Sequence, residues 1–116
     1  MGINWSSVQR RQVESVLSTH PASSGRCEQA AREVLPVAGE LSSSARGRKL
    51  VPTEGYFVVP RVSVGDRWFE HFAVHVQEHF VDALTGVDGT QENTYLQDHW
   101  KHPESLEWID PLWEEP

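Results

Sequence analysis

Apolar residues recur at helical spacing in the first third of the chain and at ambiguous spacing in the middle. Trp5, Val8, Val13, Val16 and Leu17 fall along one helical face over residues 5–18, with Arg10, Arg11 and Glu14 elsewhere, the pattern of an amphipathic surface helix. Ser6 followed by Gln9 supplies a capping box at its start. Pro21 and Ala22-Ser23-Ser24-Gly25 carry the breaking and turn chemistry that ends it near Ser18, and a loop leads to Cys27. From Glu28, the run Gln29-Ala30-Ala31-Arg32-Glu33-Val34-Leu35 is rich in helix formers, and Pro36 with Gly39 predicts closure after about two turns. Cys27 therefore falls in the first turn of this second helix. Residues 40–52 read as a loop, with Arg46-Gly47-Arg48-Lys49 as its solvated basic stretch after three serines. Tyr56-Phe57-Val58-Val59 reads as a short strand by its aromatic and β-branched content, with Arg61 to Val64 extending it past Pro60.

Residues 68–86 fit two periods. Trp68, Phe69, Phe72, Ala73, Val76, Phe80 and Leu84 suit a helix, whereas Phe72, Val74 and Val76 suit a strand. On a helix, His71 and Asp82 would lie about 16 Å apart along the axis, too far for contact. In a hairpin with an even-length loop around Gln77-Glu78, odd positions of the first strand share a face with even positions of the second. His71 and Asp82 then become opposed or diagonal neighbours, and opposed Cβ atoms lie roughly 5 Å apart. The β-branched content and the Thr85-Gly86 turn favour strands, although Gln77-Glu78 is not a preferred two-residue turn. Beyond Gly89 the chain is polar and aromatic. Tyr95, Trp100, Trp108 and Trp113 are expected to pack over the edge of the core, with Trp108 to Trp113 as an alternative partner-binding tail.

Length and charge narrow the possibilities. A chain of 116 residues is expected to form a single domain, residues 1–116, with one site. Ten Lys and Arg against seventeen Asp and Glu give a formal charge of −7, which argues against nucleic acid as a partner. A single cysteine permits no internal disulfide and makes a reducing compartment the default. Residues 1–6 hold no apolar stretch of signal-peptide length, and no window approaches the ~20 apolar residues of a membrane span, so no membrane association is expected. Gly2 and Ser6 fit the loose myristoylation pattern, which at this length is read as coincidence.

The candidate chemistry centres on the thiol. A cysteine at a helix N-terminus has its thiolate favoured by unpaired N–H groups and the helix dipole. A histidine within reach lowers its pKa further and can protonate a leaving amine, and an acid on the other ring nitrogen fixes the tautomer. Cys27, His71 and Asp82 supply that set if the hairpin forms, and backbone N–H groups at Cys27 are placed to hold an oxyanion.

Gly25-Arg26-Cys27-Glu28-Gln29-Ala30-Ala31, then His71-Phe72-Ala73-Val74, then Asp82-Ala83-Leu84-Thr85-Gly86, resembles the Cys, His, Asp order of papain-like and transglutaminase-like thiol enzymes. The likeness is greatest to the small papain-fold toxin domains of bacterial secreted and polymorphic toxin systems, and it covers residues 25–86. It implies a papain-like α+β fold with N-terminal helices packed on a small antiparallel β-sheet. By the resemblance, Cys27 is the nucleophile, His71 the general base and acid, and Asp82 the orienting carboxylate, with no cofactor and no metal. It implies hydrolysis or deamidation of a protein or peptide substrate, an immunity or inhibitor protein as partner, and action in the cytoplasm or after delivery into a target cell without a classical signal peptide. The sequence departs from the pattern twice. Pro21, Ala22, Ser23 and Ser24 stand where papain-type peptidases carry an oxyanion-hole glutamine, leaving a second donor unidentified, and polar Glu28-Gln29 replaces the aromatic residues that shape a transglutaminase acyl tunnel.

Two other readings remain. On a helix, His71, His75 and His79 stack at four-residue spacing near Glu78 and Asp82 and form a divalent-metal site. A non-catalytic acidic partner-binding module would instead bury Cys27 and leave it slow towards iodoacetamide.

Overall fold

The structure is a computed structural model that describes residues 2–61 and 68–111. Its elements are α1 (Ser7–Thr19), α2 (Cys27–Leu41), β1 (Arg46–Pro52), β2 (His71–Val76), β3 (His79–Val81), β4 (Thr90–Gln91), α3 (Tyr95–His99) and β5 (Leu106–Ile109), with short 3-10 turns at Ala22–Ser24 and Pro103–Ser105. The five strands form one antiparallel sheet in the order β4-β3-β2-β1-β5. The architecture is α+β, with helices laid on an antiparallel sheet.

The α1 helix starts as its sequence predicts. The Ser6 hydroxyl accepts from the Gln9 amide at 3.1 Å, and the Gln9 side chain accepts from the Ser6 amide at 2.9 Å. Val13 is fully buried while Val8 points to solvent, so the buried stripe is narrower than the apolar pattern suggests. The α2 helix does not close at Pro36 but continues to Leu41. An interior proline removes one backbone hydrogen bond and costs about 3 kcal/mol. Against that, the extra turn and a half buries Ala38 and packs Val37 and Leu41 on the sheet, and tertiary packing overrides propensity.

The expected loop over residues 40–52 is also corrected. Arg46-Gly47-Arg48-Lys49 belongs to β1, which lies between β2 and β5. Gly47 and Leu50 are its buried positions, a spacing of three that hides the strand from a search for alternation. Its cations find partners across the sheet, Lys49 on Glu70 at 3.1 Å and Arg48 on Asp110. Conversely, Tyr56 to Val59 is no strand: Val58 makes one isolated bridge to Trp68, and Tyr56 is exposed. The extension over Val62 to Val64 lies outside the described residues.

Residues 71–81 form the hairpin. Val74 opposes Val81, His75 opposes Phe80 and Val76 opposes His79, joined by the two-residue turn Gln77-Glu78. Both turn residues have positive φ, 49° and 64°, as a type I′ connection requires, without the usual Asn or Gly. Side-chain bonds hold it: His79 Nδ1 donates to the Gln77 carbonyl at 2.7 Å, and the Gln77 side chain accepts from the Asn4 amide at 2.8 Å.

Apolar clusters lie on both sheet faces. One packs Phe72, Val74, Val76 and Val81 against Val13, Ala31, Val34 and Ala38 of the helices. The other gathers Leu50, Ala73, Phe80, Tyr95 and Trp100, with Trp68 and Trp108 at its margin. Tyr95 and Trp100 are therefore core residues rather than edge lids. Trp108 lies within β5, which removes it from any free tail, and Leu112 and Trp113 lie outside the described residues. Among the described residues, no helix is long and apolar enough to cross a membrane.

Candidate active site

The hairpin and the start of α2 bring the three predicted residues together. Gly25 turns the chain with φ 72°, and Cys27 follows as the first residue of α2, where backbone N–H groups lack intrahelical acceptors. His71 opens β2 and Asp82 follows β3. Extending the observed register by one step sets Asp82 opposite Ala73, diagonal to His71 on the same face. His71 Nε2 bonds to Asp82 Oδ2 at 2.7 Å, with both residues buried.

The carboxylate is held from several sides. Asp82 Oδ1 accepts from the amides of Leu84 and Thr85, each at 2.9 Å, and Oδ2 also accepts from the Tyr95 hydroxyl. The imidazole is held by rings: Trp68 stacks on it with centroids 5.4 Å apart and planes 11° from parallel, and Trp100 tilts against it at 5.0 Å. Its Nδ1 is buried and makes no aligned hydrogen bond. With Nε2 committed to Asp82, Nδ1 is the ring nitrogen left to exchange a proton with sulfur. The Cys27 thiol is near enough for each group to shift the other's ionisation, through a contact looser than an aligned hydrogen bond. Such contacts commonly tighten only once substrate is engaged.

The electrostatics favour a charged pair. Burial pushes the Cys27 thiol up. The close contact and positive charge of His71, with a bond from the Phe72 backbone, outweigh it and leave the thiol below its ordinary value. Burial likewise disfavours imidazolium, but the bond and charge of Asp82, joined by Cys27, raise His71 to about 9. Asp82 stays below the usual carboxylate range despite burial, because His71, Tyr95 and the Thr85 amide stabilise its anion. Burial and the Asp82 charge push Tyr95 well up, so it remains a neutral donor. Together these shifts favour a thiolate beside an imidazolium that is anchored on a carboxylate.

The thiol opens into a cleft of about 600 Å³, lined among others by Glu28, Gln29, Trp68, Phe69, Glu70 and Phe72. The Cys27 amide, at the helix start, is placed where it could serve as one oxyanion donor. Gln29, exposed and lining the same cleft, is a candidate for the second donor that sequence reasoning left unidentified. Tyr95 and the ring pair Trp68 and Trp100 were also missed as site residues. Their only sequence signal is that they are aromatic within polar surroundings.

The three-histidine constellation does not form. Strand alternation puts His71 and His75 on one face and His79, opposite Val76, on the other. His75 bonds to Glu92, and His79 is turned to its own hairpin loop. Among the described residues no group of three or more His, Cys, Asp or Glu is placed to hold a metal ion. Comparison with protein-family models, with curated proteins and with solved structures finds no match to the chain.

Proposed function

We propose that the protein is a papain-like cysteine hydrolase or deamidase that acts on an amide of a protein or peptide substrate through a Cys27 thioester. The observation that carries this reading is the buried 2.7 Å bond between His71 Nε2 and Asp82 Oδ2, formed beside a helix-start cysteine whose thiol opens into a cleft. A structural cysteine needs neither a buried imidazole nor a carboxylate saturated with donors behind it, and such perturbed ionisations cluster at functional sites.

In the first half-reaction the Cys27 thiolate attacks the amide carbonyl, forming a carbon–sulfur bond and an oxyanion near the Cys27 amide. Collapse breaks the carbon–nitrogen bond, and the His71 imidazolium delivers its Nδ1 proton to the leaving amine, which is ammonia in a deamidation. In the second half, neutral His71 takes a proton from water, hydroxide adds to the thioester, and collapse releases a carboxylic acid and the thiolate. Asp82 keeps the ring oriented and stabilises its charged form without being protonated itself.

The resemblance further suggests a toxin or effector that works in the cytoplasm of a target cell and is kept silent by an immunity protein. The test is expression in a bacterial host with and without Cys27→Ala and His71→Ala. Growth inhibition should vanish in both variants, and the intact mass of the wild-type protein should show a trapped acyl adduct on Cys27. Undiminished toxicity of both variants refutes the catalytic assignment.

A further inference from the structure

The cleft in front of Cys27 is built from two kinds of side chain. Phe69 is 70% exposed and stands against Phe57 with ring centroids 5.3 Å apart, and Trp68 lines the same wall. Glu28 and Glu70 line the same cleft. Among the described lining residues there is no lysine or arginine. Aromatic rings beside carboxylates are the combination that receives a cationic group, through the negative ring face and through direct pairing.

Both carboxylates have internal partners. Glu28 pairs with Arg32 at 3.7 Å and Glu70 with Lys49 at 3.1 Å, and their side chains are 37% and 44% exposed. Pairs this exposed are weak and exchange readily with an incoming cation. Glu28 and Glu70 line the cleft, and Arg32 and Lys49 are not among its described lining residues. The formal charge of −7 adds attraction for cationic partners at longer range.

We infer that the cleft selects an amide carried on a protein segment with a lysine or arginine beside it, the cation resting between Glu28, Glu70 and the Phe69 ring while the carbonyl meets Cys27. This rests on Cys27 being the nucleophile. An anionic acyl donor is disfavoured by the same groups.

The test separates the two ideas by using thiol reagents of different charge on the whole protein at neutral pH. A neutral methanethiosulfonate reports nucleophilicity alone: the thiolate attacks its sulfenyl sulfur, a mixed disulfide forms and methanesulfinate leaves. The trimethylammonium-bearing and sulfonate-bearing reagents report the charge of the cleft. For reagent charges about 7 Å from two carboxylates in water at physiological ionic strength, the cationic-to-anionic rate ratio should fall about fivefold when both are neutralised. Glu28→Gln/Glu70→Gln should show that fall, and Glu107→Gln on β5, exposed and outside the cleft lining, should not. Far-UV circular dichroism confirms that each variant is folded. Fast reaction of the neutral reagent with an unchanged ratio in the double variant, or an equal fall in Glu107→Gln, overturns the inference and leaves the thiol enzyme standing. Slow reaction of the neutral reagent with the wild type overturns both.

Discussion

Replacing Asp82 with asparagine isolates the group on which the charged pair depends. The substitution keeps the side chain's size, and its remaining carbonyl can still accept from the Leu84 and Thr85 amides that hold Oδ1. It removes the negative charge behind His71. That charge and its hydrogen bond are the main reasons why a fully buried imidazole has a pKa raised from 6.5 to about 9 rather than lowered. At 1.36 kcal/mol per pH unit, the difference corresponds to somewhat over ~3 kcal/mol of preference for imidazolium, about three-hundredfold in population. Without the carboxylate, burial acts on the ring almost unopposed, and the thiolate loses the neighbour that lowers its pKa. The assay is the second-order rate of iodoacetamide alkylation of Cys27 from pH 5.5 to 10, followed by intact mass. The wild-type rate should rise with a midpoint below the ordinary thiol value of 9.0. The variant should react at least several-fold more slowly at pH 7, rise only as a desolvated thiol ionises, and approach the wild-type rate at the alkaline end. Wild-type and variant profiles that superimpose at pH 7 would refute the whole argument from the His71–Asp82 pair.

Three further outcomes follow from the same geometry. Tyr95→Phe removes a buried hydroxyl bonded to an ionised carboxylate and should lower the unfolding free energy by about 2 kcal/mol in a denaturant titration. Because the Asp82 pKa is depressed, its stabilisation is present above the unfolded value of 3.8 and lost as pH falls through the folded one, so acid unfolding of Tyr95→Phe should begin at higher pH. In Cys27→Ala, the raised His71 pKa contributes stability in full below 6.5 that is lost as pH rises towards 9, and the loss should be complete sooner than in the wild type because Cys27 no longer supports the ring. Thermal melts from pH 6 to 9 should show that decline, and adding Asp82→Asn should flatten it. Glu78→Gly relieves a left-handed turn position at φ 64° and should stabilise the fold by about 1 kcal/mol, raising the melting temperature by about 4 °C with alkylation of Cys27 unchanged; a lower melting temperature counts against the strain argument.

The legibility of the site differs from that of its surroundings for a physical reason. Which face of a hairpin a residue occupies follows from its parity, a local property, so His71 and Asp82 could be paired from spacing once strands were favoured over a helix. Cys27 at a helix start is likewise local, announced by the turn chemistry before it and the helix formers after it. What surrounds them is not local. β1 is polar and has no alternation, and it is a strand because β2 and β5 both require a neighbour there. Pro36 sits inside a helix because residues beyond it have a sheet to cover. Tyr95 reaches Asp82 only after the chain has passed through β4 and turned back. The parts that tune the chemistry, the Tyr95 hydroxyl on Asp82 and the Trp68 and Trp100 rings on His71, are therefore those that residue spacing could not place. The three residues proposed to perform it were marked by spacing and local turn chemistry. A variant that leaves Cys27, His71 and Asp82 intact but repacks Tyr95 or Trp100 would keep every feature the sequence displays and still shift the ionisation on which the thiol depends.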